Sequence, residues 1–276
     1  MDYKHLLDTQ LQQLYTASER MVLYNMLLEH LQARTVSNNA SLSPSQQQYF
    51  LQYVQALAQG KPIQYVLGEA DFYRLKFSVN PSVLIPRPET EELVHLIIQN
   101  HRKKNINIID IGTGSGCIAI SLKANLPEAR VYAMDIEENA LKTAQSNAIT
   151  NNVEVNFIAD DALNLKPADY PFFDVIVSNP PYIAQSEKTQ MQAQVTQHEP
   201  HLALFVSDED SLIFYDRIAD FALEKLSANG LLYFEINRNL AQETKTLLES
   251  KGFEVSLLKD LNDNFRMIQA VRSQAN

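Results

Sequence analysis

At 276 residues, 45% hydrophobic and 20% charged, the chain is ordinary globular material, long enough for one large domain and a smaller one. A net charge of −10 argues against a surface built to grip bare nucleic acid, which needs clustered Lys and Arg. The single cysteine, Cys117, excludes an internal disulfide and a cysteine-rich metal site, and no metal is expected.

The start, Met-Asp-Tyr-Lys-His, has no basic region followed by an apolar stretch, so no signal peptide is expected. The longest apolar runs are strand-sized, far below the ~20 residues that span a bilayer. The expected compartment is the reducing cytoplasm, with no membrane partner.

Residues 1–75 read as a small helical domain. Leu7, Leu11 and Leu14, then Val22, Met26 and Leu27, keep helical spacing. Leu42-Ser-Pro-Ser has the serine cap and first-turn proline of a helix start, and 49–58 is apolar at 3–4 spacing. This domain carries no catalytic cluster, which leaves it a folding accessory or a partner-recognition module. Between about 71 and 88 the pattern changes. Phe72, Phe77, Val79, Val83 and Leu84, broken by Asn80-Pro-Ser, predict a hairpin-like connector, placed at 76–90.

From residue 91 to 276 strands and helices alternate. Strands are expected at 106–110, 131–135, 154–158, 173–178, 231–236, 254–259 and 266–272. Helices are expected at 89–101, 115–126, 137–149, 209–227 and 238–250. This order predicts an α/β domain with a mainly parallel seven-stranded sheet, closed by an antiparallel hairpin around the short loop 260–264. The basic run His101-Arg-Lys-Lys104 reads as a solvated helix end rather than a phosphate grip.

Two motifs carry the chemistry, each at the carboxyl end of an expected strand, where open α/β sheets bind ligands. The first is Asp110-Ile-Gly-Thr-Gly-Ser-Gly116. Three of the chain's seven glycines, Gly112, Gly114 and Gly116, fall here, which points to tight turning and close ligand approach around Thr113 and Ser115. The dinucleotide pattern wants a glycine where Cys117 stands, so a cofactor whose ribose and amino acid pack on the loop fits better than one with a pyrophosphate. Cys117 itself reads as a small packing residue. Asp110 could accept from a cofactor ammonium or from backbone. Asp135, ending the next strand, is placed to accept both ribose hydroxyls, a reading favoured over the helix cap that an Asp there could also make. Asp161 and Ala162 would bracket an adenine edge. A loop of this type with its acid is the pattern of an S-adenosylmethionine site.

The second motif is Asn179-Pro-Pro-Tyr182. Pro180 and Pro181 hold the residues before them extended, making a stiff turn. The turn aims the Asn179 side-chain carbonyl and a backbone carbonyl at the two N–H groups of a planar amide or aromatic amine. So held, the nitrogen can pyramidalise toward a methyl donor, and the growing positive charge is stabilised. Tyr182 would stack on the planar group and exclude water. The catalytic assignment is Asn179, Pro180 and Tyr182, with Asn179 also at the cofactor. Together the motifs predict a methyltransferase acting on nitrogen.

Asn-Pro-Pro-Tyr occurs in N6-adenine methyltransferases and in protein-glutamine methyltransferases. Three further segments, Lys61-Pro-Ile-Gln-Tyr-Val-Leu-Gly-Glu-Ala-Asp-Phe-Tyr73, Leu84-Ile-Pro-Arg-Pro-Glu-Thr-Glu-Glu-Leu-Val94 and Glu199-Pro200 through Ala203-Leu204, resemble those of the bacterial release factor glutamine methyltransferase family. The resemblance runs from about residue 55 onward. It implies a Rossmann-like class I methyltransferase fold. It also implies methyl transfer from S-adenosyl-L-methionine to the side-chain N5 of the glutamine in the Gly-Gly-Gln motif of class I peptide chain release factors. The N-terminal domain would then dock the release factor, with no direct nucleic-acid partner; the alternative is a nucleic-acid N6-adenine methyltransferase. Pro181 joins the amide-binding turn, and Phe72, Arg87 and Glu89 match positions that line or brace the substrate site. The chain departs from the family at Arg74, at Asn237 (Glu235-Ile-Asn237 for Glu-Ile-Gly) and near Asp263, each where a glycine is usual.

Overall fold

The fold is described from a computed structural model, for residues 2–32, 42–102, 105–191 and 193–273. The chain divides into two compact units, Met1–Glu69 with Gln192–His198, and Ala70–Met191 with Glu199–Asn276. The division thus lies at 69/70 rather than at the expected 75, and the short stretch 192–198 joins the helical unit.

In the helical unit, α1 (Tyr3–Leu11), α2 (Ala17–Gln32), α3 (Pro44–Ala58) and α4 (Ile63–Leu67) are joined by short turns and by residues 33–41, which lie outside the described set. Ser43 caps α3 by accepting from the Gln46 N–H while the Gln46 side chain returns to the Ser43 N–H, with Pro44 in the first turn. The 3–4 spacing of leucines makes one apolar stripe per helix. Leu7, Leu11, Leu23, Leu27, Phe50, Val54 and Leu57 bury those stripes in a common core. Leu14 and Val22, in contrast, are exposed. Helix α8 (Ala193–His198) belongs to this unit, and Gln194 donates to the Tyr15 hydroxyl at 2.6 Å.

The second unit opens with a hairpin, β1 (Glu69–Phe72) and β2 (Leu75–Ser78), earlier than the expected connector. Tyr73 and Arg74 make its turn, both at positive φ (47° and 65°), the conformation for which glycine is the usual residue. The sheet follows: β3 (Asn107–Ile111), β4 (Arg130–Asp135), β5 (Asn156–Ala159), β6 (Phe173–Ser178), β9 (Leu226–Glu235), β10 (Phe253–Lys259) and β11 (Phe265–Arg272). Their order is β10-β11-β9-β6-β3-β4-β5, parallel except for β11, which runs antiparallel to both its neighbours. A two-stranded annex, β7 (Ile183–Ala184) with β8 (Phe205–Val206), is absent from the sequence reading.

Helices α5 (Pro88–His101), α6 (Cys117–Asn125), α7 (Glu138–Thr150), α9 (Ile213–Lys225) and α10 (Ala241–Ser250) cover the sheet. Alternate strand residues serve opposite faces. Ile108, Val175, Val177 and Tyr233 join one core with Leu93, Ile97 and Ile120. Ile109, Ile176, Leu232 and Phe234 join the other with Ile218, Phe221 and Leu248. Burial on both faces is why these strands read as unbroken apolar runs. His101 is the buried last residue of α5, and residues 103 and 104 of the basic run lie outside the described set. No described helix is long and apolar enough to cross a membrane.

The chain leaves β3 toward β4 and leaves β6 toward β9, on the other side. The carboxyl ends of the adjacent β3 and β6 therefore form the topological switch point, the crevice where such sheets bind ligands.

Candidate active site

Both sequence motifs end at this crevice. Ser178 Oγ, at the end of β6, donates to the Ile111 carbonyl of β3 at 2.6 Å and locks the two strand ends together. Gly112 and Thr113 donate their N–H groups to the Met134 carbonyl at 2.8 and 2.9 Å, folding the glycine loop against the end of β4. One cavity is lined by Gly112, Thr113, Gly114, Ser115, Met134, Asp135, Asp161, Ala162, Asn179 and Pro181, with Arg87, Thr90, Leu202 and Phe214.

Within that cavity, Asp135 accepts from the Gly114 N–H at 2.8 Å on one oxygen and from the Glu137 N–H at 3.0 Å on the other. A carboxylate oxygen has two acceptor positions, so both oxygens can take a further donor. Burial raises its pKa, against the lowering effect of those two amides. Gly112 and Gly114 have φ of 77° and 55°, and a Cβ on either would meet nothing within 4 Å. The loop is a cradle that side chains would fill and that a nucleoside with an amino-acid arm fits. Ile118, Ile136, Ala140 and Leu163 add an apolar wall able to take a purine ring. Asp161 holds its own turn, accepting from Leu163 N at 2.9 Å and Asn164 Nδ2 at 2.6 Å, beside Ala162.

Three residues of the sequence reading lie beneath the surface. Asp110 is fully buried, is not part of the lining and accepts from Thr113 Oγ1 at 2.6 Å, so it braces the loop from below. Burial drives its carboxyl up to about 7. Gly116 packs α6 on α7, since a Cβ there would come within 2.7 Å of Ile120 Cδ1 and 3.1 Å of Ala144 Cβ. Phe72 is buried in the core, edge-on to Phe77. Cys117 touches the cavity, but burial pushes its thiol up to about 12, which keeps it protonated and inert.

The substrate turn is anchored from behind. Pro180 is buried, and Pro181 and Asn179 line the cavity. Tyr182 turns its hydroxyl inward to donate to Glu235 Oε1 at 3.3 Å, and burial raises its pKa. Arg87 lines the cavity and donates to Glu199 Oε1 at 2.7 Å, while the Ile85 N–H donates to Oε2 at 3.3 Å. Glu199, almost wholly buried, thus ties segments 85–87 and 199–203 together at the cavity. Glu89 sits in the first turn of α5 and adds negative charge near Glu235.

Three polar residues of this network have no role in the sequence reading. Thr90 Oγ1 donates to Glu235 Oε2 at 2.6 Å and accepts from Asn179 Nδ2 at 3.3 Å. Asn237 Nδ2 donates to the Tyr182 carbonyl at 3.3 Å. Although Asn237 lies outside the substrate turn in sequence, it grips that turn directly. The available signal was Glu235 itself, a carboxylate at the end of an apolar strand, which demands partners when buried.

Comparison with known proteins follows the same lines. Residues 90–203 match the family model described as methyltransferase small domain. The release factor glutamine methyltransferase of Flavobacterium psychrophilum is 53% identical over 218 residues, covering 77% of this chain and 76% of that one. The chain belongs to the release factor glutamine methyltransferase family. The Bacteroides thetaiotaomicron member is 44% identical over 232 residues, covering 84% of this chain and 83% of its own. A methyltransferase structure from Pyrococcus furiosus shares the fold, with a TM-score of 0.55 at 17% identity, covering 84% of this chain and all 100% of that one. As a family member the chain is a methyltransferase of Rossmann-like architecture, with the mainly parallel sheet and terminal hairpin that its sequence predicts.

Proposed function

We propose that this enzyme methylates the side-chain N5 of the glutamine in the Gly-Gly-Gln motif of class I peptide chain release factors, using S-adenosyl-L-methionine. The observation that carries this reading is that Asn179 and Pro181 of the Asn-Pro-Pro-Tyr turn and the glycine cradle border one cavity, in a chain of this family. The residues that would hold the cofactor are Gly112, Thr113, Gly114 and Ser115 at its amino-acid and ribose parts, Asp135 at the ribose hydroxyls, and Asp161 with Ala162 at the adenine. When bound, S-adenosylmethionine supplies an electrophilic methyl group on a sulfonium.

The chain's own residues supply position and charge. Asn179 Oδ1 and the Pro180 carbonyl accept the two N–H groups of the glutamine amide. Held this way, the nitrogen aims its lone pair out of the amide plane, and the acceptors stabilise the charge that grows there. Pro181 and the inward-turned Tyr182 keep the turn rigid and dry. No strong base is needed, because the alkylated nitrogen gives up a proton readily to water. The helical unit, with Leu14 and Val22 exposed, is assigned to docking the release factor.

Two substitutions separate the roles. Asn179→Ala should lower turnover by about 100-fold, the loss typical of one transition-state contact, with cofactor affinity nearly unchanged. Asp135→Ala should weaken cofactor binding by about tenfold or more, the equivalent of one charge-assisted hydrogen bond. Steady-state kinetics with isothermal titration of the cofactor distinguishes them; an Asn179→Ala protein that loses affinity and turnover equally contradicts the assignment.

A further inference from the structure

We propose that the buried Glu235 carboxylate, acting through the Thr90 hydroxyl, fixes which end of the Asn179 side-chain amide is offered to the substrate. The site thereby selects a glutamine amide over a glutamate carboxylate. This rests on the reading of the cavity as a glutamine site and adds two positioning residues to it.

A threonine hydroxyl has one proton and two acceptor positions. Thr90 Oγ1 lies 2.6 Å from Glu235 Oε2, in the range of a charge-assisted O–H···O bond, and an ionised carboxylate can only accept. With Glu235 ionised, the proton is committed to it. What faces Asn179 is an oxygen lone pair, which takes an N–H and repels a carbonyl. The Asn179 amide must turn its NH2 end to Thr90, at 3.3 Å. Its Oδ1 is left as the end available to a ligand, and no donor among the described residues reaches it.

Glu235 is itself held from several sides. Tyr182 donates to its other oxygen at 3.3 Å, the Arg266 charge on β11 favours its ionised form, and the Tyr215 hydroxyl on α9 donates to its backbone carbonyl at 3.2 Å. Glu89 on α5 opposes the charge, and burial raises the pKa. Thr90 and Glu235 are both almost wholly buried, each 2% exposed, although Thr90 also borders the cavity.

The chemical consequence is specificity. A free Oδ1 welcomes an N–H donor and repels a carboxylate, so a glutamate in place of the glutamine meets an acceptor facing an acceptor. Without the Thr90 hydroxyl, nothing orients the amide, and its NH2 end can rotate toward the substrate and donate to a carboxylate.

The test uses the full-length protein with a purified release factor and its Gly-Gly-Gln→Gly-Gly-Glu form. Binding is measured by titration in the presence of S-adenosylhomocysteine, and turnover with S-adenosylmethionine. The wild type should bind the glutamine form at least about tenfold tighter than the glutamate form. Thr90→Val, which keeps shape and removes the hydroxyl, should narrow that ratio to within about threefold and cut kcat about 100-fold, with cofactor affinity unchanged. Thr90→Ser should restore both. Glu235→Gln, which lets the relay run in either sense, should narrow the ratio likewise, and it decides the matter if Thr90→Val does not fold. A Thr90→Val or folded Glu235→Gln protein with the wild-type ratio and kcat overturns the relay, as does a Thr90→Ser protein as impaired as Thr90→Val. A wild type that methylates no glutamine overturns the reading of the site beneath it.

Discussion

Asp110 stands at the base of the glycine loop, wholly removed from water, with Thr113 as its hydrogen-bonding side chain. A carboxyl raised from 3.8 to about 7 by burial contributes stability that is complete below the lower value and is lost as pH rises through the upper one. Asp110→Asn keeps the shape without the charge. Its stability relative to the wild type should therefore improve as pH rises from 3.8 to about 7 and level off above that, read from urea midpoints. A difference that is flat across that window contradicts the buried-acid account. Much at this scale is legible in sequence: glycine concentration marks the loop, and paired prolines mark the turn. Depth is not legible, since Asp110 and Asp135 look alike on paper while one braces the loop and the other borders the cavity. The departures from family glycines are clearer in three dimensions. Arg74 and Asp263 both hold positive φ, 65° and 64°, and so keep the glycine's backbone at some strain, whereas Asn237 adds a new bond to the substrate turn.

The glycine loop and α6 make one element with two kinds of glycine. Gly116 is needed for packing, whereas Gly114 faces open space in the cavity. Gly116→Ala should cost about 2 to 4 kcal/mol, combining overpacking with left-handed strain. Gly114→Ala should cost only about 1 kcal/mol of strain yet weaken cofactor binding by more than about tenfold. Denaturant midpoints and cofactor titrations on the two proteins read this contrast, and equal effects on both quantities would refute it. Elements with a strong pattern are readable: β3, β4, β6, β9 and the β10–β11 hairpin fall within a few residues of expectation, apart from the early start of β9, and for β3, β4, β6 and β9 two-sided burial makes each largely apolar. Helix starts are less so. Helices α9 and α10 begin at 213 and 241 rather than 209 and 238, α10 because a 3-10 turn, Arg238–Leu240, precedes it. The stretch 183–208 is illegible for a physical reason: its two strands have two residues each, too short to show any period.

For the whole molecule, a helical unit and an α/β unit share one chain, and the residues proposed as catalytic come from the second. The net charge of −10 suits a protein substrate better than bare nucleic acid, whose phosphates would be repelled. Family membership and the Asn-Pro-Pro-Tyr turn agree on the same chemistry. The central claim is transfer of one methyl group to one glutamine. The most direct measurement is peptide mass spectrometry of an unmodified release factor after incubation with this enzyme and S-adenosylmethionine. The account predicts that the Gly-Gly-Gln peptide gains the mass of one CH2 group, and that the gain disappears with Asn179→Ala and when the glutamine is replaced by alanine. An unmodified peptide from an enzyme that binds its cofactor, or a gain on an adenine oligonucleotide instead, would contradict it.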